Sequence, residues 1–151
     1  MKRNLLVYSR GDFYDLISSG GIPKDAAVIQ ICSTPKCQEV ILGEPEPHFL
    51  LPSDTVLNLT FDDIGKRKLV YEGSTFYGMS PKQAKEVVSF IEKNKDRDFY
   101  ISCRAGKSRS QGIARYILDT YGHEIEYATR EDNPCVTPNM YVTQLLKKYK
   151  K

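Results

Sequence analysis

The sequence predicts an α/β domain in which a central, mostly parallel sheet is flanked by helices. Three observations carry that expectation. Short β-forming apolar runs alternate along the chain with segments whose apolar residues recur at helical spacing, the pattern of a layered α/β architecture. One run, Ala26-Ala27-Val28-Ile29-Gln30-Ile31-Cys32, is apolar almost without a break. A strand covered on both faces reads this way, whereas a strand with one wet face alternates. The third is Phe99-Tyr100-Ile101, which passes through a small polar loop into a helical stripe at Ile113, Ile117 and Leu118. The 151 residues suffice for one domain, spanning 1–151, with a core of its own.

Taken in order, Leu5-Leu6-Val7-Tyr8 is the first strand. Residues 11–17 follow as a short helix with Phe13, Leu16 and Ile17 on one face, and Ser18-Ser19-Gly20-Gly21-Ile22-Pro23 gathers turn formers. The strand over 26–32 ends in the loop Cys32-Ser33-Thr34-Pro35-Lys36-Cys37. The proline-rich stretch 43–52 reads as an irregular surface connection, since neither flank is long enough to be a separate domain. Residues 55–61 alternate like a strand and end in Asp62-Asp63-Ile64-Gly65. The basic run Lys66-Arg67-Lys68 is either a solvated face or a feature that steers anions.

Ser80-Pro81 marks a helix start, with serine as N-cap and proline at the first helical position; Ala84, Val87, Val88 and Ile91 form its stripe. Residues 94–98 turn into the strand at 99–101. After the polar loop a helix runs over 108–121 and stops at Gly122, with His123 read as a cation at its C-terminus. A last helix is expected with Thr137 as N-cap and Pro138 inside it.

The loop Cys103-Arg104-Ala105-Gly106-Lys107-Ser108-Arg109-Ser110 carries the chemistry. A strand that ends in such a loop, with a helix starting behind it, is an anion site: successive backbone N–H groups curl into a nest, and the helix N-terminus adds positive potential. Arg109 can meet an oxyanion with two parallel hydrogen bonds. Cys103 sits where that potential favours a thiolate, the nucleophilic form of cysteine. Gly106 lets the backbone turn where a side chain would collide with the anion. Ser110 can donate a hydrogen bond to the sulfur.

Two plainer readings compete. Cysteine is commonly a small buried hydrophobe, and Arg104, Lys107 and Arg109 can form a solvated basic face; neither accounts for the joint arrangement. Gly106-Lys107-Ser108 imitates the end of a nucleotide-binding P-loop, but that motif needs a glycine where Ile101 stands. Cys32, Cys37 and His48 could begin a zinc site, yet there is no second tight pair and Cys135 stands alone.

Cys103-x5-Arg109-Ser110, with Gly106 in register, resembles the signature loop of the cysteine-dependent protein phosphatases, and its Arg-Ser ending is nearest to the dual-specificity subgroup. Ser102 stands where that family usually has histidine. Phe61-Asp62-Asp63 matches the family's acid loop with Asp63 as general acid and Asp62 as the alternative; without chemistry, the paired acids begin a turn or cap a helix. Pro138-Asn139-x4-Gln144-Leu145 resembles the segment in which the family's asparagine braces the signature loop, which makes Asn139 a supporting residue. The resemblance spans roughly residues 57–148.

It implies a protein tyrosine phosphatase-like fold and a two-step hydrolysis through a cysteinyl-phosphate, with no metal or organic cofactor. In that scheme residues 104–109 bind phosphate and Cys103, Arg109, Asp63 and Ser110 act on it. The expected substrate is a phosphorylated protein, carrying phosphotyrosine and also phosphoserine or phosphothreonine, because no tyrosine-rich insertion is visible that would wall a deep pocket. Arg104 and Lys107 make the loop basic, so a phosphoinositide or an RNA 5′-triphosphate is the alternative substrate. A catalytically weak phosphopeptide-binding module is a further alternative.

The remaining composition bounds the class. Hydrophobic residues make up 40% and charged residues 27%, ordinary values for a globular chain. A net charge of +3 is too mild to argue nucleic-acid binding by itself and suits a phosphate-bearing substrate. The four cysteines form no small secreted disulfide framework. The basic start carries an apolar run too short for a signal peptide, and no segment is long enough to span a bilayer. The expectation is a cytosolic monomer with reduced thiols.

Overall fold

The computed structural model describes residues 3–127 and 137–150. In chain order the elements are β1 (Asn4–Ser9), α1 (Arg10–Ser18), β2 (Ala27–Cys32), α2 (Pro35–Cys37) running into a single π-helical turn (Gln38–Leu42), β3 (Val56–Thr60), β4 (Lys68–Tyr71), β5 (Ser74–Tyr77), α3 (Pro81–Lys93), β6 (Phe99–Cys103), α4 (Arg109–Tyr121), β7 (Glu124–Tyr127) and α5 (Met140–Lys148). Five strands form one sheet in the order β3-β2-β6-β1-β7, and every neighbouring pair is parallel. β4 and β5 make a separate antiparallel hairpin. None of the helices among the described residues is long and apolar enough to cross a membrane.

Side-chain alternation along the central strands builds two cores. Leu5 and Val7, Ala27, Ile29 and Ile31, and Phe99, Ile101 and Cys103 face the layer of α3, α4 and α5, where Val87, Ile91, Ile113, Ile117, Val142 and Leu146 close over them. Tyr8, Val28 and Tyr100 face the other way, onto α1 through Phe13, Leu16 and Ile17. β2 is buried along its whole length, as its unbroken apolar run requires. Gln30, the polar interruption in that run, uses its amide to hold the 43–52 connection: Oε1 accepts from Phe49 N and Leu50 N at 3.0 Å each, and Nε2 donates to Leu50 O at 3.1 Å.

The caps follow local chemistry. Ser80 and Gln83 form a reciprocal capping box with Pro81 in the first turn of α3. Ser9 caps α1 by accepting from Asp12 N at 3.1 Å. The last helix begins later than its sequence suggests. Asn139, rather than Thr137, is the N-cap of α5 and accepts from Val142 N, while Thr137 N donates to Lys107 O at 2.9 Å.

His123 also departs from expectation. It is buried against Phe99, its Nε2 donates to Arg97 O at 3.0 Å, and burial pushes its pKa down. It is therefore a neutral ring in the core rather than a helix-end cation.

Where α4 crosses α5 the backbones touch. A Cβ on Gly112 would lie 2.6 Å from Asn139 O and 3.2 Å from Val142 Cβ, and Thr143 Oγ1 donates to Gly112 O at 2.7 Å. Helix propensity alone favours alanine over glycine here by about 1 kcal/mol. The close approach outweighs it, and Gly112→Ala is expected to lose about 1–2 kcal/mol net through overpacking, read from the midpoint of urea unfolding. A variant as stable as the parent would show that the contact has room.

Candidate active site

In a parallel sheet flanked by helices, ligand sites form beyond the carboxyl ends of the strands. Four strand ends meet there: Ser9 of β1, Cys32 of β2, Thr60 of β3 and Cys103 of β6. The loop 104–108 leaves Cys103 and re-enters the fold at Arg109, the first residue of α4. Its carbonyls are anchored from outside. Arg10 N donates to Arg104 O at 3.1 Å, Gln111 Nε2 to Gly106 O at 3.0 Å and Thr137 N to Lys107 O at 2.9 Å. Ser108 O accepts from both Gly112 N at 2.8 Å and Asn139 N at 3.0 Å. With the carbonyls tied outward, the amide N–H groups are left to line the inner side, as an anion nest requires.

Gly106 serves this turn for a reason the sequence did not reveal. Its φ is +69°, and a Cβ there would sit 2.6 Å from Ser9 N and 2.7 Å from Tyr8 C. The collision to be avoided is with the end of β1, not with an anion. The loop lies directly against that strand end, and a side chain of any size would lift it off.

Cys103 is buried, and its Sγ lies 2.9 Å from Ser110 Oγ. Arg109 is buried too. Its Nη1 donates to Phe61 O at 2.8 Å and to Ser33 Oγ at 3.1 Å, so the ends of β2 and β3 fix the guanidinium. Nε and Nη2 take no partner among the described residues, which leaves one edge of the fork for an oxyanion. Ser102 is buried within β6, between Tyr8 of β1 and Gln30 of β2. Ala105 is exposed at the loop tip, and Lys107 and Ser108 are half-buried.

The adjacent aspartates have opposite surroundings. Asp62 is buried and saturated: Oδ1 accepts from Thr34 N at 2.9 Å, and Oδ2 accepts from Thr34 Oγ1 at 2.7 Å and Tyr77 N at 2.9 Å. It ties α2 and the hairpin to the end of β3. Asp63 is exposed and turned to the loop, where its Oδ1 accepts from Ser108 Oγ at 2.7 Å and Asn139 Nδ2 at 2.9 Å. Asn139 Nδ2 also donates to Ile64 O at 3.1 Å. The Asn139 side chain thus braces the acid loop, while its backbone N–H holds the Cys103 loop.

Cys32 and Cys37 stand in different surroundings. Burial pushes the Cys32 thiol up to about 11, against the partial opposition of Arg10, whose Nη1 lies 3.8 Å from Cys32 Sγ. Burial raises Cys37 as well. His48 Nε2 donates to Leu59 O at 2.9 Å. No three potential ligands cluster among the described residues, and Cys135 lies outside them.

Several site residues are not evident in the sequence. Glu44 and Glu46 come from the proline-rich connection and both bind Arg104, at 2.9 and 3.3 Å. Beside the site a cleft of about 340 Å³ is walled by Ile41 and Leu42 of the π-helical turn, Ile64, and Leu69, Tyr71 and Phe76 of the hairpin. Asp63, Arg104 and Arg109 also line it. The sequence expectation concerned a tyrosine-rich insertion and does not include this mostly aliphatic wall, to which Tyr71 and Phe76 contribute the aromatic rings. A signal for that wall was present: Tyr71-Glu72-Gly73-Ser74 joins two β-forming runs, and Glu72 and Gly73 take φ of +48° and +78°, a two-residue hairpin turn.

The contrast between the aspartates is measurable. Asp62→Asn faces three N–H or O–H donors with an amide that can accept on only one side, so a loss of about 2 kcal/mol is expected. Asp63→Asn keeps an accepting oxygen at an exposed site and should stay within about 0.5 kcal/mol. Denaturant unfolding of the two variants decides; the larger loss at Asp63 would refute this division of roles. Compared with protein-family models and with curated proteins, the sequence matches neither, so the reading of this site rests on its own geometry.

Proposed function

We propose that this chain is a cysteine-dependent phosphomonoester hydrolase acting on phosphorylated protein side chains. The observation that carries the reading is the joint placement of Cys103 Sγ at 2.9 Å from Ser110 Oγ with the buried, strand-fixed Arg109 behind the same loop. The protein tyrosine phosphatase-like fold belongs to the same proposal; a parallel sheet with helices on both faces is in keeping with it.

The chemistry follows from the positions. Cys103 Sγ attacks phosphorus in line, forming the S–P bond as the P–O bond to the leaving group breaks. Arg109 and the loop amides hold the equatorial oxygens. Asp63, the exposed acid beside the loop, gives its proton to the leaving oxygen. A water then attacks phosphorus and returns its proton to Asp63, the S–P bond breaks, and orthophosphate departs. Ser110 Oγ–H stabilises the sulfur each time it carries charge. No metal or organic cofactor enters this scheme, and the thiol must be reduced, which fits the expected cytosolic setting.

The apolar cleft beside Asp63 and Arg109 supports an aromatic leaving group. Phosphotyrosine is proposed as the better substrate, since phenoxide leaves more readily and a ring can rest on Leu69, Tyr71 and Phe76; phosphoserine and phosphothreonine follow more slowly. The alternative of a phosphoinositide or RNA 5′-triphosphate needs cations at the mouth, and Arg104 is paired with Glu44 and Glu46. A phosphopeptide-binding module would bind and not turn over.

Two experiments test the reading. Cys103→Ser is expected to reduce aryl phosphate hydrolysis to background with the fold retained, and activity that survives would sink the mechanism. Wild-type binding of phosphopeptides without any turnover would favour the binding module. Asp63→Asn should slow alkyl phosphates by about 10²–10⁴-fold and activated aryl phosphates far less, because only the poor leaving group needs the proton. Equal slowing of both would remove Asp63 from the role.

The substrate order is read from kcat/KM of one peptide sequence carrying phosphotyrosine or phosphothreonine, with Tyr71→Ala expected to narrow the difference. Faster phosphothreonine turnover in the wild type would overturn that order.

A further inference from the structure

A cation in an anion-binding loop is ordinarily available to the ligand, but Arg104 is held elsewhere. Its Nη2 donates to Glu44 Oε1 at 2.9 Å and its Nη1 to Glu46 Oε2 at 3.3 Å. The two carboxylates differ in kind. Glu44 is exposed, whereas Glu46 is only 2% exposed. The second oxygen of Glu46 accepts from Ser33 N at 2.7 Å, and Ser33 Oγ in turn receives Arg109 Nη1. A buried carboxylate needs a full set of hydrogen-bond donors or a counter-charge, and Glu46 has one neutral donor, Ser33 N, beside Arg104. Arg104 supplies the counter-charge, and swinging Arg104 out to a ligand would strand Glu46 as an unpaired buried anion.

The clamp is also built in advance. Gly43, in the left-handed region at φ +70°, ends the π-helical turn. Pro45 and Pro47 stiffen the backbone on either side of Glu46. Gln38 locks the segment, with Glu46 N donating to its Oε1 at 2.9 Å and its Nε2 donating to Ser33 O at 2.7 Å. Two carboxylates against one guanidinium leave a net negative charge beside the mouth, which repels a second phosphate group.

We propose that Glu44 and Glu46 are specificity determinants: they reserve Arg104 as a counter-ion of the fold and so restrict the site to a single phosphate group, against pyrophosphate, triphosphate and multiply phosphorylated ligands. The inference rests on the phosphate-binding reading of the loop.

Calorimetric titration of the full chain with orthophosphate and with pyrophosphate tests it. The proteins are the wild type, Glu44→Gln, Glu44→Gln/Glu46→Gln, and the latter with Arg104→Gln added. The ratio of pyrophosphate to orthophosphate affinity is expected to rise about threefold in the single variant and about tenfold in the double one, as charge-assisted contacts are released to the ligand. The gain should vanish once Arg104 is replaced and shrink at high salt.

An unchanged ratio in Glu44→Gln, an exposed site whose replacement spares the fold, overturns the proposal. So does a double variant that loses orthophosphate as well, because the carboxylates would then be shaping the loop rather than selecting its ligand. Aryl phosphate hydrolysis by the same preparations separates the two levels. Turnover with an unchanged ratio sinks the selectivity alone, and a shifted ratio without turnover sinks the phosphatase reading alone. A wild type that binds neither anion sinks both.

Discussion

The fold converges on the backbone of residues 104–108. Buried peptide carbonyls must find donors, and here the donors come from four separate places: the start of α1, the first turns of α4, Thr137, and the cap of α5. Each element therefore meets its neighbours partly through the shape of this loop. The same outward anchoring turns the amides inward, so the requirement that stabilises the loop also makes it a candidate anion site. Gly106 sits at the tightest point, against the end of β1. The β1–β6 pairing behind it, with Ser9 opposite Cys103, fixes how far the loop can move.

Around that loop, charge is handled in two ways. Asp62 makes no ion pair among the described residues and is satisfied by neutral donors, two from Thr34 and one from the hairpin. Such a carboxylate holds segments together without adding a positive group that would compete for a ligand. Glu46 is instead paired with Arg104. Both buried acids lie at the carboxyl edge of the sheet, where long connections would otherwise be loosely attached, and both position Arg109 indirectly. Asp62 does so by fixing the chain next to Phe61, whose carbonyl accepts from Arg109. Glu46 does so by fixing Ser33. The fork is thus oriented by a backbone carbonyl and a hydroxyl group, neither of them charged.

The sheet was legible because burial on both faces leaves an unmistakable run in β2, and because strand, loop and helix follow in one uninterrupted stretch from Phe99 to Leu118. Ser80-Pro81 was legible because a cap is local chemistry. The misses share a cause: they depend on partners distant in sequence. Thr137 and Asn139 are both acceptable caps, and the choice falls to Asn139 because its amide reaches Asp63 and Ile64. β7 reads as polar because it is an edge strand, paired on one side only with β1. His123 looks like an exposed cation until Phe99 and the Arg97 carbonyl are seen to enclose it. Among the candidate site residues, Asp62 and Asp63 could not be separated by type, since only the packing of Thr34 and Tyr77 distinguishes them.

Division of labour between framework and additions follows from this geometry. The reacting groups proposed here stand on strand ends and the first turn of a long helix, where neighbouring backbone fixes their directions. The walls and the clamp stand on two connections, residues 38–46 and 64–78, that add a π-helical turn, two glutamates separated by Pro45 and an isolated hairpin. Connections of this kind change more readily than a sheet, because their backbone groups lie at the surface and few core contacts depend on them. Asp62 is what joins the two sets: its backbone and side chain pair with Tyr77, and its second oxygen contact reaches Thr34 at the start of α2. The walls of the cleft come from separate connections, and the chain on both sides is tied to one buried carboxylate adjacent in sequence to the proposed acid. Cys103 Sγ and Ser110 Oγ contact each other, whereas Arg109 is reached from the clamp through Ser33 and Glu46, so the proposed nucleophile stands apart from these connections and the proposed anion-binding arginine does not.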